Sequence, residues 1–304
     1  MSFMCLACNT ELKNTKFGEY SLCPNCGTYR YISQRSAEEE NAEYFEQAEY
    51  YNVKSVSLYK VLFKIYRLID IVINPSFIKS KYIEYKINKN INKKNNYLEI
   101  GFGNGRWIRR YLRRGKDVYG IDLSSEAVSE FKNKYPEYGD RVEQATKVTG
   151  CYDVIYANAI FEHLDNPDQF LQNIHASLQN GGELVLGIPT INERSSNIKI
   201  DADINFWKPC HRVIYSIEGL TKLLDRNGFR IVANASNDTV VYRLLNALLA
   251  RGVKEVHKYR TPFYRYSGNN NFVNYLVVLL RLPFVRSQSV WSKLLIEKYS
   301  ESDV

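Results

Sequence analysis

Two stretches of this sequence carry residues whose types and spacing could do chemistry. The first is CLAC (Cys5, Cys8) followed, after 14 residues, by CPNC (Cys23, Cys26). Two such knuckles can supply four thiolates to one tetrahedral Zn²⁺, each tight pair chelating the metal. Gly27 follows the second pair, where a turn residue fits beside a thiolate, and the intervening residues suit a β-hairpin. The second stretch is YLEIGFGNG, Tyr97 to Gly105: a short apolar run, one acid, then glycine at every second position. Glycines there let a ligand lie against backbone N–H groups and a helix N-terminus.

The rival readings of the cysteines are two disulfides or a redox C-x-x-C. The opening MSFMCLACNT has no basic region ahead of an apolar run, so no secretory leader is expected, and disulfides fit poorly with that. No βαβ unit surrounds either pair. Zinc is therefore expected, in a ribbon too small to fold without the free energy of metal binding. Cys151 and Cys210 are isolated and read as structural. A ribbon alone does not identify a function, since ribbons bind nucleic acid, bind protein or brace a neighbouring domain.

Around the glycines, NYLEI reads as a buried strand and GFGNG as a turn. RWIRRYLRRG reads as a helix with Trp107, Ile108, Tyr111 and Leu112 on one face and Gly115 closing it. KDVYGIDLS is a second strand ending in Asp122, 21 positions after Gly101, with Ser124 or Ser125 capping the next helix. This is β-turn-α-β with an acid placed to accept two ribose hydroxyls at the carboxyl ends of parallel strands. The dinucleotide pattern G-x-G-x-x-G is broken, because Arg106 occupies its third glycine position. Glu99 would oppose a pyrophosphate. It suits a cationic or zwitterionic ligand, such as the sulfonium and amino-acid portion of S-adenosylmethionine.

Further on, strands are expected at Arg141–Ala145, Tyr152–Ala157 and Glu183–Ile188, a helix at Pro167–Leu178, and a turn at Gly181-Gly182. On LEIGFGNG, GIDLS, YDVIYANAIFEHLDNP, GGELVLGIP and HRVIYSIEGLTKLLDRNGFRIV, the chain resembles class I S-adenosylmethionine-dependent methyltransferases over about Asn96 to Val232. Among them it is similar to the group containing ubiquinone-biosynthesis and polysaccharide-pathway enzymes. The resemblance implies an α/β fold: a Rossmann-like seven-stranded sheet with an antiparallel last strand, here preceded by a small zinc ribbon and helices. It also implies that Glu99, Gly101, Phe102, Gly103 and Gly105 line the methionine side of the cofactor. Asp122 would hold the ribose, Leu123 would pack on the adenine, and Asn158 and Ala159 would lie beneath the methionyl part. No acid follows strand 3 where many relatives contact the adenine amino group, so Gln144 to Thr146 would serve with backbone or amide groups.

The sulfonium is already an activated methyl donor. The protein must align the acceptor and, for a hydroxyl, remove a proton. His163 in FEHL and His211 in FWKPCHR are the candidate general bases, each with a structural alternative in which the ring steadies its own loop. Glu162, Asp201 and Asp203 are weaker candidates. The long polar segment TINERSSNIKIDADINFWKPCHR reads as an acceptor lid.

The elements that position these groups divide as residues 1–35 (ribbon), 36–95 (helical linker and cap) and 96–304 (methyltransferase domain). SVSLYKVLFKIYRLIDIVI has helical apolar spacing and lysines, as an interfacial or packed helix would, and the basic run KSKYIEYKINKNINKKNN reads as a solvated helix end and linker. A helix is expected at SIEGLTKLLDRNG and a strand at FRIVANAS. No strand follows at hairpin distance, so Leu294–Tyr299 is expected as strand 7 and 240–288 as an insertion. That insertion interleaves Arg260 and Arg265 with tyrosines and could bind phosphates beside sugar rings, lipid headgroups or single-stranded nucleic acid, or form a subunit interface or an extra packing layer.

Lys plus Arg number 41 against 33 Asp plus Glu, a net charge of +8. That favours a polyanionic partner, or is a solvated lysine-rich surface. Two acceptor classes compete. One is a small-molecule or glycan acceptor, such as a sugar or lipid-linked saccharide. The other is RNA held by the ribbon and basic surface. NAIFEH stands where a base-flipping Asn-Pro-Pro-Tyr segment would be, which favours the small acceptor. No apolar run is long enough to span a bilayer, and the expected location is cytoplasmic, with peripheral contact at the inner membrane face and a homodimer left open.

Overall fold

The computed structural model describes residues 3–12, 16–17, 20–32, 36, 39, 68–72, 74–191, 205–206, 211–239 and 289–299. The expected insertion at 240–288, most of the expected lid, most of the helix expected at 55–73 and Cys210 lie outside the described residues. In chain order the described strands and helices are β1 (Phe3–Met4), β2 (Glu11–Leu12), β3 (Lys16–Phe17), β4 (Tyr20–Leu22), β5 (Tyr29–Tyr31), α1 (Pro75–Ile91), β6 (Asn96–Ile100), α2 (Arg106–Leu112), β7 (Asp117–Asp122), α3 (Ser125–Lys134), β8 (Val142–Gln144), β9 (Tyr152–Asn158), α4 (Pro167–Ser177), β10 (Leu178–Ile191), β11 (Val213–Ile214), α5 (Ile217–Asp225), β12 (Phe229–Asn237) and β13 (Ser289–Lys298).

Two compact units emerge. One, the sheet unit, holds 83–188, 220–235 and 292–304. The seven-stranded sheet runs β12-β13-β10-β9-β6-β7-β8. Pairs β9–β10, β6–β9, β6–β7 and β7–β8 are parallel. The last strand, β13, is antiparallel and inserted between β12 and β10, the order expected of strand 7. It begins at Ser289, five residues before the expected start at Leu294, with Leu294, Leu295 and Ile296 all buried.

The core of this unit gathers Tyr97, Ile108, Tyr111, Val118, Phe131, Val154 and Val185, each buried. The basic run that reads as a solvated helix end and linker supplies most of α1 (79–91), and this part is packed on the core rather than wholly solvated. Ile83, Ile87 and Ile91 recur at four-residue spacing and pack into the core, while the lysines between them face outward. Helix α2 closes where Gly115 takes a positive φ of 71°, its N–H bonding to the Leu112 carbonyl at 2.9 Å. Strand β10 begins at Leu178, with a register irregularity before Glu183 that absorbs the expected Gly181-Gly182 turn.

The second, the ribbon unit, holds 1–82, 189–219 and 236–291. A four-stranded sheet runs β11-β5-β4-β3, and β1 pairs with β2. Strand β11 lies more than 180 residues beyond β5 in the chain, yet pairs with it antiparallel, Val213 facing Arg30 and Ile214 facing Tyr29. Tyr20, Tyr29, Ile191, Phe206 and Ile214 form this unit's own apolar cluster. Among the described residues no helix is long and apolar enough to cross a membrane.

Candidate functional site

In the sheet unit the site grows from the carboxyl ends of β6, β7 and β9. Gly101, Gly103 and Gly105 all have positive φ, at 65°, 51° and 65°. Their reasons differ. A Cβ on Gly101 would stand 2.2 Å from Ile160 Cδ1, and one on Gly105 2.2 Å from Phe131 Cε2. Those two glycines are demanded by the protein's own packing as well as by conformation. A Cβ on Gly103 would meet nothing within 4 Å. Only there does the left-handed backbone face open space a ligand could use.

Asp122 closes the loop from the other side. Its Oδ2 accepts from Gly103 N–H at 2.8 Å and its Oδ1 from Ser124 N–H at 2.9 Å. The carboxylate thus fixes the open turn and the start of α3 at once, and each oxygen keeps a second lone pair for a further donor. Ser124, not Ser125, caps α3, accepting from Ala127 N–H at 3.1 Å. Leu123 beside it is 68% exposed, an apolar shelf next to the open turn. Gln144 donates its amide to the Leu123 carbonyl at 2.9 Å, which steadies that shelf.

Glu99 is buried, and its Oε2 accepts from Ile108 N–H in the first turn of α2 at 3.1 Å. Burial pushes its carboxyl well above the usual range. The Ile108 bond partly offsets this, and the Asp122 charge adds to the rise. The Phe102 side chain is buried against Phe131, so only its backbone belongs to the loop.

At the end of β9, Ala159 carries a φ of 58°, an uncommon value for a residue with a side chain, and its N–H bonds to the Gly187 carbonyl at 2.8 Å. Asn158 next to it lies with its Oδ1 3.4 Å from the Tyr156 hydroxyl. The Tyr156 ring stacks on Trp107 at 4.5 Å, and burial, then the Glu99 charge, raise its pKa. Glu162 is fully buried in the following 3-10 turn, with His163 Nε2 3.9 Å from its Oε1.

Sequence reasoning passed over Gly120, where a Cβ would stand 2.2 Å from Ile108 Cδ1 and 2.9 Å from Phe102 Cδ1. A glycine inside a strand marks such close approach, and VYGID carried that signal.

In the ribbon unit the four expected cysteines converge, with ligand atoms all within 4.8 Å of one another. Cys5 Sγ lies 3.6 Å from Cys26 Sγ and Cys8 Sγ 3.5 Å from Cys23 Sγ. All four are free thiols, well beyond disulfide bonding distance. The hydrogen bond from Cys5, followed by Thr28 contacts, draws the Cys26 thiol down to about 5 against the opposing effect of burial. Such a set of soft donors could hold one tetrahedral metal ion.

The knuckles repeat one another. Cys5 N–H bonds to Thr10 O and Cys23 N–H to Thr28 O, each at 2.8 Å, and the residue after each second cysteine, Asn9 or Gly27, is left-handed. Asn9 went unnoticed in the sequence, although asparagine tolerates that conformation. His211 is also buried in this unit, its Nδ1 2.9 Å from the Asn205 carbonyl. His163 belongs to the sheet unit and His211 to the ribbon unit.

A ubiquinone biosynthesis O-methyltransferase of Coxiella burnetii is 28% identical over 128 residues, covering 40% of this chain and 52% of that one. An uncharacterized methyltransferase of Bacillus mycoides is 30% identical over 125 residues, covering 36% and 59%. The chain thus spans about half the length of these relatives. Among solved structures, the O-methyltransferase of a trans-AT PKS multienzyme of Brevibacillus brevis, in complex with S-adenosyl-L-homocysteine, aligns with a TM-score of 0.46 at 14% identity, over 75% of this chain and 78% of that one. Residues 78–234, a little over half of the chain, match the family model described as a methyltransferase domain. The chain belongs to that family, among the class I S-adenosylmethionine-dependent methyltransferases.

Proposed function

We propose that the chain transfers the methyl group of S-adenosylmethionine to a hydroxyl oxygen of a small or glycan-type acceptor, such as a sugar or a lipid-linked saccharide intermediate. The observation that carries the cofactor half is the open left-handed turn at Gly103 tied to the Asp122 carboxylate. The residues fit the group: Asp122 for the ribose hydroxyls, exposed Leu123 for the adenine, and Gly103 backbone with Asn158 for the methionyl part. When bound, the cofactor supplies an electrophilic methyl on a sulfonium. Glu99 supports the loop from beneath through Ile108 and contributes negative potential toward that cation whenever it is ionised.

On the acceptor side, His211 is assigned as the general base. A carbonyl can only accept, so the hydrogen bond between Nδ1 and Asn205 O places a ring proton on Nδ1. A hydroxyl proton would pass to the base as the oxygen gains the methyl group. His163, beside Glu162, is the second candidate. The O-methyltransferase name of the Coxiella relative supports an oxygen acceptor. We further propose that Cys5, Cys8, Cys23 and Cys26 hold one structural Zn²⁺, in keeping with their convergence.

The test is methyl transfer from labelled cofactor to nucleotide sugars, oligosaccharides and RNA, with the product linkage read by NMR. O-methylation of a saccharide is expected. Transfer to RNA alone, or to nitrogen or carbon, would overturn the acceptor assignment.

A further inference from the structure

The ribbon unit joins the four-cysteine cluster to His211 through a continuous set of contacts. Cys23 and Cys26 lie between β4 and β5, so the second knuckle is the turn that sets those two strands. Strand β5 in turn pairs with β11, which begins two residues after His211, and Tyr31 N–H bonds to the Arg212 carbonyl at 2.8 Å.

Upstream of β11, the Tyr20 hydroxyl on β4 donates to the His211 carbonyl at 2.8 Å in a buried setting. Phe206 stands edge-on to both Tyr20 and Tyr29, at 5.1 Å from each ring. That fixes Asn205, whose carbonyl receives the His211 Nδ1 proton. Downstream, Ser216 Oγ donates to the Cys26 carbonyl and accepts from Gly219 N–H. Gly219 packs so closely that a Cβ there would stand 3.0 Å from Cys26 Sγ and 2.1 Å from Thr28 Oγ1. The segment bearing His211 is therefore pinned at both ends to residues that frame the cysteine cluster.

Strands of two or three residues cannot hold such a sheet alone, and a segment this small relies on a metal for its folding free energy. We infer that the four-cysteine site, through Tyr20 and β11, sets the orientation and tautomer of His211, so that metal occupancy governs the order of the 211–219 segment and leaves cofactor binding untouched. Tyr20, Asn205 and Ser216 are positioning residues in this account. The inference rests on the assignment of His211 as the base. The cofactor loop has supports of its own, Ile108, Phe131 and Ile160, in the sheet unit.

The test uses the full chain, before and after zinc removal with a chelator, followed by hydrogen exchange and calorimetry with S-adenosylhomocysteine. Amides of 211–219 should exchange about tenfold faster or more after removal, in step with those of 20–31, and zinc should restore them. Affinity for S-adenosylhomocysteine should stay within about twofold. Unchanged protection of 211–219, or a cofactor affinity lost in parallel with the metal, would overturn the inference.

Tyr20→Phe keeps the ring that packs on Phe206 and Tyr31 while removing the bond to the His211 carbonyl. Its ¹⁵N imidazole spectrum should show the His211 ring as a mixture of tautomers, and a spectrum identical to wild type would refute the link. Failure of the base assignment would appear separately, as methyl transfer undiminished in His211→Asn.

Discussion

Replacing Asp122 with alanine separates the two jobs this carboxylate holds. In the free protein it accepts from Gly103 N–H at 2.8 Å and Ser124 N–H at 2.9 Å. With cofactor bound it would also accept two ribose hydroxyls. Hydrogen bonds to a charged acceptor contribute roughly 1.5–3 kcal/mol each, and this side chain is only partly buried, so the lower figure applies. Loss of the two ribose bonds then costs about 3 kcal/mol, on the order of 100-fold in affinity. Loss of the two backbone bonds loosens the turn before any ligand arrives and lowers stability by about 2–3 kcal/mol. Calorimetry with S-adenosylhomocysteine reads the first effect and thermal unfolding the second. A lowered melting temperature with cofactor affinity unchanged would refute the ribose assignment and leave Asp122 as a turn brace alone.

The three glycines of the loop should respond differently. Gly103→Ala bears only the left-handed penalty of about 1–2 kcal/mol in stability, yet should weaken cofactor binding because its methyl enters the open space. Gly105→Ala adds a collision with Phe131, a further cost of about 1–3 kcal/mol, and should be the less stable of the two in denaturant unfolding. Glu99 has its folded pKa raised by burial, so its favourable contribution is complete below pH 4.5 and is lost as pH rises through the folded value. Glu99→Gln, whose amide oxygen can still accept from Ile108, should therefore gain stability over wild type as pH rises above about 4.5 and lose cofactor affinity; thermal scans across pH showing no growing difference would count against it. Metal analysis of protein purified without added zinc should give one equivalent per chain, falling to none in a variant lacking Cys23 and Cys26.

Much of the sheet unit was legible because its signals are local. A strand, a glycine turn, an amphipathic helix and an acid at the next strand's end all fall within 26 residues of sequence, from Tyr97 to Asp122. The cysteine spacing was legible for the same reason. What was hidden depends on residues far apart in the chain. Nothing near Gly101 or Gly105 says that Ile160 and Phe131 are the side chains requiring them. The apolar stripe Ile83, Ile87, Ile91 was masked by the lysines that surround it, although its four-residue spacing was there to be read. Strand β11 is two residues long, too short for any alternation, and its partner β5 is set by tertiary pairing rather than by local pattern. His211 was found as a candidate by its residue type. Its tie to Tyr20 and to the cysteine cluster follows only from that long-range strand.

The central claim is that the turn from Gly101 to Gly105, with Asp122, receives S-adenosylmethionine. A crystal structure of the full chain with S-adenosylhomocysteine tests it most directly. The account predicts both ribose hydroxyls within hydrogen-bond distance of the Asp122 carboxylate, the adenine against Leu123, and the homocysteine over Gly103. A ligand bound elsewhere, or an Asp122 carboxylate that contacts only Gly103 and Ser124 when the ligand is present, would contradict it.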